Sequence, residues 1–337
     1  MRFVIIGAGA VGGVLGAHLF HGGEDVVLVD PAEHIETIRR QGLHLKGRYG
    51  DFVVHIPAVR DIAEVTPQAE DILCLAVKQY HTAEALPQLR RVYDAGTPLF
   101  CFQNTVENEE MALQHFQRVY GVVVRMGAKF VTPGEVSHLG GNSLTIGRYP
   151  GGIDETVETV ATHLRNGGFQ VHLHPEIVGV KWYKLFLNLS NSIHAIFGLS
   201  SAESPNDPEC RKLRADLLEE SLAVVKAAGI PLHHVEGEPP IETLIQQLRQ
   251  DDFPVREVPA DPAERPYPSM WQDLYWQRGK TEVQALNGKI AALGRRVQVP
   301  TPINDLLVRL VEEMVSKGEK PGKYTIAQFR DMLSSAT

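Results

Sequence analysis

The chain has 337 residues, of which 43% are hydrophobic and 22% are charged, a composition typical of a globular protein of one large or two ordinary domains. The formal net charge is −8, and no basic stripe offsets it, which argues against a nucleic-acid backbone as partner. No apolar run approaches the roughly 20 residues that a membrane helix needs. Three cysteines without motif spacing fit a reduced, cytoplasmic protein.

The first half of the chain alternates short apolar runs with segments of helical pattern. The apolar runs lack polar alternation, as is typical of parallel strands covered on both faces. They lie at 2–7, 25–30, 71–78 and 98–104. The helical segments lie at 11–21, 33–42, 81–91 and 106–115. This β–α alternation predicts α/β architecture with a parallel, doubly wound sheet of the Rossmann type.

Residues 43–58 alternate polar and apolar side chains and contain Gly47 and Gly50. This pattern predicts a hairpin-like excursion from the main sheet. Four further short strands are expected to extend the sheet, at 119–124, 128–131, 143–148 and 169–174.

The pattern changes after about residue 175. Helices are expected at 177–198, 207–228, 240–250, 270–293 and 301–316. Residues 231–268 hold eight prolines, which predicts a surface loop with a short helix inside it. We therefore predict two domains, an α/β domain at 1–175 and an all-α domain at 176–337.

A glycine-rich sequence, GAGAVG, follows the first apolar run and opens the first helical segment. Its residues are Gly7, Ala8, Gly9, Ala10, Val11 and Gly12. The glycines permit a tight turn, approach of the backbone to a pyrophosphate and close packing of helix on strand, while the helix N-terminus supplies N–H donors. The combination of strand, helix and a later acid predicts dinucleotide binding. The alternative is a strand–helix turn without a ligand.

Asp30 ends the second apolar run, 18 residues after Gly12. A carboxylate there hydrogen-bonds the ribose hydroxyls of NAD and repels a 2′-phosphate. The following residues, Pro31, Ala32 and Glu33, include no lysine or arginine. The residues alone therefore favour NAD(H) as cofactor. In the alternative, Asp30 caps the helix that begins near Pro31.

The segment KWYKLFLNLSNS reads as an apolar helix with a polar stripe. At about 100° per residue, Asn188 lies roughly 40° and Asn191 roughly −20° from Lys184 on a straight helix. Ser192 lies about 80° away. An ammonium beside two carboxamides is suited to protonating a developing alkoxide and holding a carboxylate. Lys184 is therefore a candidate proton donor, and Lys181, about 60° off the stripe, is its competitor. In the alternative, Lys184 is a surface lysine on an amphipathic helix.

Six motifs follow one another in order across nearly the whole chain. They are GAGAVGG at the start, LAVKQYHT at 75–82, QNTVENE at 103–109, GEVSHLGG at 134–141, WYKLFLNLSN at 182–191 and PSMWQDLYWQRGKTEVQALNG at 268–288. Together they resemble the ketopantoate reductases. The resemblance implies a Rossmann domain followed by a helical domain, an active site in the cleft between them, and NADPH-dependent reduction of 2-dehydropantoate to pantoate.

The resemblance also implies roles for single residues. Lys184 matches the catalytic lysine that donates the proton, and Asn104 matches an asparagine that touches both cofactor and substrate. Further matches are Asn188 and Ser269 on the substrate side, and Lys78, Ala128 and Glu282 on the cofactor side. Glu282 is also a candidate catalytic partner that orients the Lys184 ammonium or accepts a hydrogen bond from a substrate hydroxyl.

Two positions depart from the pattern of the family. Asn104 is followed by Thr105 instead of the usual glycine, so the turn lacks a permissive residue. The second helix asparagine comes three residues after Asn188, at Asn191, whereas the usual spacing of four selects Ser192. Helical geometry favours Asn191 as the second substrate anchor.

Two other functions remain open. One is an NAD-dependent D-2-hydroxyacid dehydrogenase of the same family, and the other is a dinucleotide-sensing protein without catalysis. The expected partner is a small 2-oxoacid, with no nucleic acid, no membrane and no metal. An apolar helical domain would suit a homodimer.

Overall fold

The computed structural model describes residues 1–31, 33–235 and 237–335. The chain forms two compact units, Met1–Lys181 and Trp182–Thr337. The predicted domain limits at 1–175 and 176–337 stay predictions.

The first unit is built on one ten-stranded sheet. Its strands are β1 (Arg2–Ile6), β2 (Asp25–Val29), β3 (Leu43–Gly47), β4 (Phe52–Val54), β5 (Ala58–Val59), β6 (Asp71–Leu75), β7 (Leu99–Cys101), β8 (Val119–Thr132), β9 (Glu135–Arg148) and β10 (Gln170–Leu173). Its helices are α1 (Ala10–His21), α2 (Glu33–Gln41), α3 (Thr82–Val92), α4 (Asn108–Leu113) and α5 (Glu155–Asn166).

The strand order is β4-β3-β9-β8-β7-β6-β1-β2-β5, and β10 pairs with β9 off this path. The strands from β5 through β2, β1, β6 and β7 to β8 pair in parallel. In contrast, β8 pairs with β9, and β3 with β4, in antiparallel fashion. The Rossmann-type fold class is confirmed, and the antiparallel pairs β8–β9 and β3–β4 complete the sheet.

The β8–β9 hairpin replaces the short strands predicted at 119–124, 128–131 and 143–148. Its register shifts between Arg125 and Gly127 and again before Ala128. Such irregularities interrupt the period-two alternation by which a long strand is recognised. The hairpin predicted within 43–58 is present as β3 and β4.

Both faces of the sheet are covered, which explains the uninterrupted apolar runs. Phe3 and Ile5 of β1 belong to a core shared with α1, β3 and α5, whereas Val4 packs on the other face with Leu86 and Leu89 of α3. The apolar pattern of the sequence did not predict α5. A local signal existed, since the Asp154 carboxylate caps α5 by accepting from the Val157 N–H.

The second unit is helical in its described part. Its helices are α6 (Ile177–Leu189), which begins in the first unit, α7 (Asn191–Phe197), α8 (Pro208–Ala227), α9 (Ile241–Leu248), α10 (Ser269–Tyr275), α11 (Asn287–Val297), α12 (Pro302–Ser316) and α13 (Ile326–Ser334). The short helix expected inside 231–268 is α9, and α13 was not predicted. Across the described ranges, no helix has the length and apolarity needed to cross a membrane.

Two predicted helices are in fact interrupted. The helix expected at 177–198 breaks at Ser190, where the Ser192 hydroxyl donates to the Leu189 carbonyl and competes with the helical pattern. The helix expected at 270–293 ends at Tyr275 and resumes at Asn287. Gln277 has a φ of 50° there, which a continuing helix does not allow.

Candidate active site

Two glycines of the GAGAVG loop are required by the fold itself. Gly7 has a φ of +95°, and a Cβ there would lie 2.7 Å from the Val77 backbone nitrogen. A Cβ at Gly12 would overlap the Gly7 carbonyl oxygen. These residues therefore serve the tight turn and the packing of α1 against the sheet.

Gly9 is different, because none of the described residues excludes a side chain there. It is the N-cap residue of α1, and a Cβ built on it meets no atom within 4 Å. No side chain caps α1, and its first turn holds no acid. The open space and the uncapped N–H groups fit a dinucleotide pyrophosphate.

Asp30 lies beside this loop. Its Oδ2 atom accepts a hydrogen bond from the Ala8 backbone N–H at 3.0 Å. The carboxylate therefore faces the glycine loop from the end of β2, where a ribose would lie. Helix α2 begins three residues after Asp30, at Glu33. Ala32 lies outside the described residues.

Arg60 is a candidate that sequence reasoning missed. It follows β5, and β5 pairs with the end of β2 through Val29 and Val59. The exposed Arg60 guanidinium donates through Nη2 to the Pro31 carbonyl at 3.4 Å. A positively charged side chain is thus present near the end of β2, although it comes from a distant part of the sequence. Only knowledge of the β2–β5 pairing would have revealed it.

Lys78 and Asn104 follow β6 and β7, which are parallel neighbours. Both therefore lie at the same carboxyl edge of the sheet as the glycine loop after β1. Gln103 joins the two turns, since its Nε2 donates to the Val77 carbonyl at 2.9 Å and to the Thr82 hydroxyl at 2.7 Å. Asn104 itself is partly exposed.

The missing glycine after Asn104 has no structural cost. Among the described residues, only Gln277 and Gln298 combine a side chain with a positive φ. Thr105 is fully buried, and its hydroxyl accepts from Asn108 Nδ2 at 2.5 Å. Its backbone is therefore one that threonine adopts without strain.

Ala128 lies in β8 opposite His138, immediately after a register shift. Such bulges leave backbone groups outside the regular ladder and are frequent next to active sites. This placement is compatible with the backbone contact predicted for Ala128.

Lys184 and Asn188 lie on α6 and are partly exposed, whereas Leu185 and Phe186 between them are fully buried. Lys184 and Asn188 lie one turn apart on the same face of the helix. The polar stripe on this largely buried helix is therefore partly accessible.

The comparison of Asn191 with Ser192 changes, because α6 ends before either residue. The angles computed for a straight helix do not apply beyond Ser190. Burial decides instead, since Ser192 is fully buried and its hydroxyl donates to the Leu189 carbonyl at 2.8 Å. Asn191 is partly exposed and remains available as an anchor.

Lys181, the competing proton donor, is only 3% exposed. Its ammonium pairs with the Glu109 carboxylate, which is fully buried, and donates to the Gln103 carbonyl at 3.1 Å. Burial raises the pKa of Glu109, and Lys181 opposes this shift. Lys181 is therefore held in an ion pair within the first unit, next to the turn that carries Asn104.

Ser269 and Glu282 lie in the interrupted region of the second unit. Ser269 is the first residue of α10, directly after the N-cap residue Pro268. Glu282 lies between α10 and α11 and is 8% exposed. Because α11 begins only at Asn287, the Glu282 carboxylate does not lie in the first turn of a helix.

The predicted residues thus form two sets. The glycine loop, Asp30, Lys78 and Asn104 lie at the carboxyl edge of the parallel strands of the first unit. The second unit supplies Lys184, Asn188, Asn191, Ser269 and Glu282. Their individual roles stay predictions.

Comparison with known proteins identifies the family. A model described as "Ketopantoate reductase PanE/ApbA" matches residues 3–151, and its C-terminal counterpart matches residues 176–315. The chain is 31% identical over 319 residues to the 2-dehydropantoate 2-reductase of Pyrococcus horikoshii, covering 94% of this chain and 99% of the relative.

Solved structures agree with this assignment. The PanE/ApbA family ketopantoate reductase of Ralstonia eutropha JMP134 superposes with a TM-score of 0.80 at 27% identity, covering 94% of this chain and 99% of that one. A D-mandelate dehydrogenase in complex with NADH and anilino(oxo)acetate shares the fold, with a TM-score of 0.81 at 24% identity and coverage of 94% and 99%. The chain therefore belongs to the ketopantoate reductase family, whose members are nicotinamide-dependent oxidoreductases.

Proposed function

We propose that this oxidoreductase reduces 2-dehydropantoate to pantoate, the reaction named for its Pyrococcus horikoshii relative. The observation that carries the proposal is the accessible pair Lys184 and Asn188 on a buried helix of a family member. A lysine on such a helix is suited to acid catalysis on a bound carbonyl.

Each residue has a distinct task in the proposed reaction. The N–H groups at the start of α1 bind the pyrophosphate, and the open space at Gly9 lets it approach. A bound nicotinamide supplies the hydride. The Lys184 ammonium stabilises the negative charge that develops on the substrate oxygen and gives that oxygen its proton.

The neutral polar side chains hold the substrate. Asn188, Asn191 and Ser269 donate hydrogen bonds to the carboxylate and hydroxyl groups of the 2-oxoacid. Asn104 contacts both substrate and cofactor. Glu282 orients the Lys184 ammonium, which fixes the direction of proton transfer.

We infer that NADH is the preferred cofactor. The Asp30 carboxylate beside Ala8 is suited to the ribose hydroxyls of NADH and repels a 2′-phosphate. NADPH is the second candidate, implied by the family resemblance and favoured by Arg60, whose guanidinium beside Pro31 would attract a 2′-phosphate.

A matrix of initial rates tests the proposal. We expect oxidation of NADH or NADPH with 2-dehydropantoate and a much lower kcat/KM with bulky aromatic 2-oxoacids. The reverse order would favour a D-2-hydroxyacid dehydrogenase, and tight cofactor binding without turnover would favour a sensing protein. A cytoplasmic location, a homodimer and the absence of nucleic acid as partner remain predictions.

A further inference from the structure

Three polar residues of the second unit lie around an arginine that has no carboxylate partner among the described residues. We define the Arg214 cluster as Ser190, His194, Ser204 and Arg214. Nε of Arg214 donates to the Ser190 hydroxyl at 3.3 Å, and Nη1 donates to the Ser204 hydroxyl at 3.3 Å. Ser190 and Ser204 are 3% and 0% exposed, so the guanidinium reaches into the protein from α8.

No carboxylate within the described ranges compensates this charge. The ion pairs formed by the described residues do not include Arg214, and the groups that act on its pKa include the Cys210 thiol but no carboxylate. Burial lowers the pKa of Arg214, and the nearby Arg256 acts in the same direction. A guanidinium does not deprotonate in proteins, so desolvation is relieved by an anion rather than by loss of a proton.

His194 gives a second, independent indication. It is 5% exposed, and neither of its ring nitrogens has a hydrogen-bond partner among the described residues. It follows Ser190 by four residues across the start of α7, where its backbone N–H donates to the Ser190 carbonyl at 3.1 Å, so the two side chains are neighbours. Burial, and then Arg214, lower the pKa of His194 to about 3, so the imidazole is neutral and retains one N–H donor.

The cluster is reachable from solvent. Arg214 is partly exposed, and Arg256 is exposed. The Arg256 backbone is fixed to Asn206 by two hydrogen bonds of 2.8 Å, which keeps its segment close to the turn that carries Ser204. Arg256 is near enough to act on the pKa of Arg214, so two arginines and two serine hydroxyls lie in one region of a chain whose net charge is −8.

We propose that the Arg214 cluster binds a small oxoanion, either a phosphate or a carboxylate group. The planar guanidinium fork matches the paired oxygens of both groups, and serine hydroxyls supply additional donors. Ser190 is the break between α6 and α7 and lies between the predicted anchors Asn188 and Asn191. An anion there stabilises this junction. The inference is independent of the proposed function.

Thermal unfolding and isothermal titration with inorganic phosphate test the proposal at constant ionic strength, with chloride as reference. In the wild type we expect a saturable rise in Tm and a measurable Kd. Arg214→Met abolishes the rise, and Arg214→Lys, which keeps charge but loses the fork, weakens binding roughly tenfold. Sodium acetate in place of phosphate, titrated into the wild type and Arg214→Met, distinguishes a carboxylate source from a phosphate source without using a ligand of the proposed active site.

Two further variants keep the test decisive. Arg256→Gln changes an exposed side chain, so it folds even if Arg214→Met does not, and we expect weaker phosphate binding. Arg249→Gln is the matched control, because Arg249 pairs with Asp216 and Glu219, and its phosphate response should be unchanged. An equal rise in all variants, or no rise beyond that in chloride, would overturn the proposal.

Discussion

At the scale of single residues, the three glycines of the GAGAVG loop have different tasks. Gly7 and Gly12 are in contact with backbone atoms that a Cβ would displace, whereas Gly9 faces open space. A motif match alone does not distinguish these cases. Substitutions at Gly9 and at Gly12 can therefore test cofactor binding separately from folding.

We predict that Gly9→Ala folds normally but binds cofactor at least about tenfold more weakly, because the methyl group occupies the approach of the pyrophosphate. Gly12→Ala is the contrasting variant and should lose about 1–3 kcal/mol of stability or more through overlap with the Gly7 carbonyl. Urea unfolding and cofactor fluorescence titration measure the two effects. Normal cofactor affinity in Gly9→Ala would contradict the assignment.

Asp30 favours NADH as cofactor, whereas Arg60 favours NADPH. Asp30→Ala should lower kcat/KM for NADH by about 10- to 100-fold, since hydrogen bonds to a charged group are lost. Arg60→Gln should lower kcat/KM for NADPH by about tenfold and leave NADH unaffected. Steady-state kinetics with both cofactors measure this. Equal effects of either change on NADH and NADPH would contradict both roles.

At the scale of elements, the ion pair of Lys181 and Glu109 joins α6 to α4 and to the turn after β7. Replacing one partner leaves a buried charge without compensation. Lys181→Met should therefore cost about 3–5 kcal/mol of unfolding free energy, and the double change with Glu109→Leu should recover most of it.

Lys212→Met is the control for this prediction. Lys212 and Glu209 form an exposed pair, whose loss should cost about 1 kcal/mol or less. Urea unfolding provides the values. A double variant no more stable than Lys181→Met would show that the pair itself is not the source of the loss.

The elements also show what the sequence predicts and where it falls short. The strand–helix alternation predicts the Rossmann sheet and the motif predicts the glycine loop after β1, because both depend on local patterns, whereas the role of Lys184 stays a prediction. The break at Ser190 and the turn at 276–286 depend on local competition for hydrogen bonds and on a positive φ at Gln277, which periodicity does not reveal. Arg60 escapes prediction because it reaches β2 only through the pairing of β5.

At the scale of the whole molecule, two histidines indicate how stability responds to pH, of which His194 is buried and His18 is partly exposed. Burial is the main cause that lowers the pKa of His194 to about 3 and that of His18 to about 4. Both are neutral in the folded protein, while the unfolded chain takes up protons near pH 6.5. Stability is therefore complete above about pH 6.5 and falls as the pH drops toward these folded values.

For His194 the loss should reach roughly 3–5 kcal/mol between pH 6.5 and pH 3. His194→Leu should flatten the pH profile of urea unfolding in this window. His81→Gln, at an exposed position, should not. A His194→Leu profile parallel to that of the wild type would contradict the prediction.

The central claim is that Lys184 protonates a 2-oxoacid in a nicotinamide-dependent reductase. Its most direct test is turnover of 2-dehydropantoate by the wild type and by Lys184→Ala, with cofactor affinity measured in parallel. The account predicts a loss of kcat of about 10²- to 10⁴-fold in the variant and a nearly unchanged Kd for the cofactor. Near-normal turnover by Lys184→Ala would contradict it.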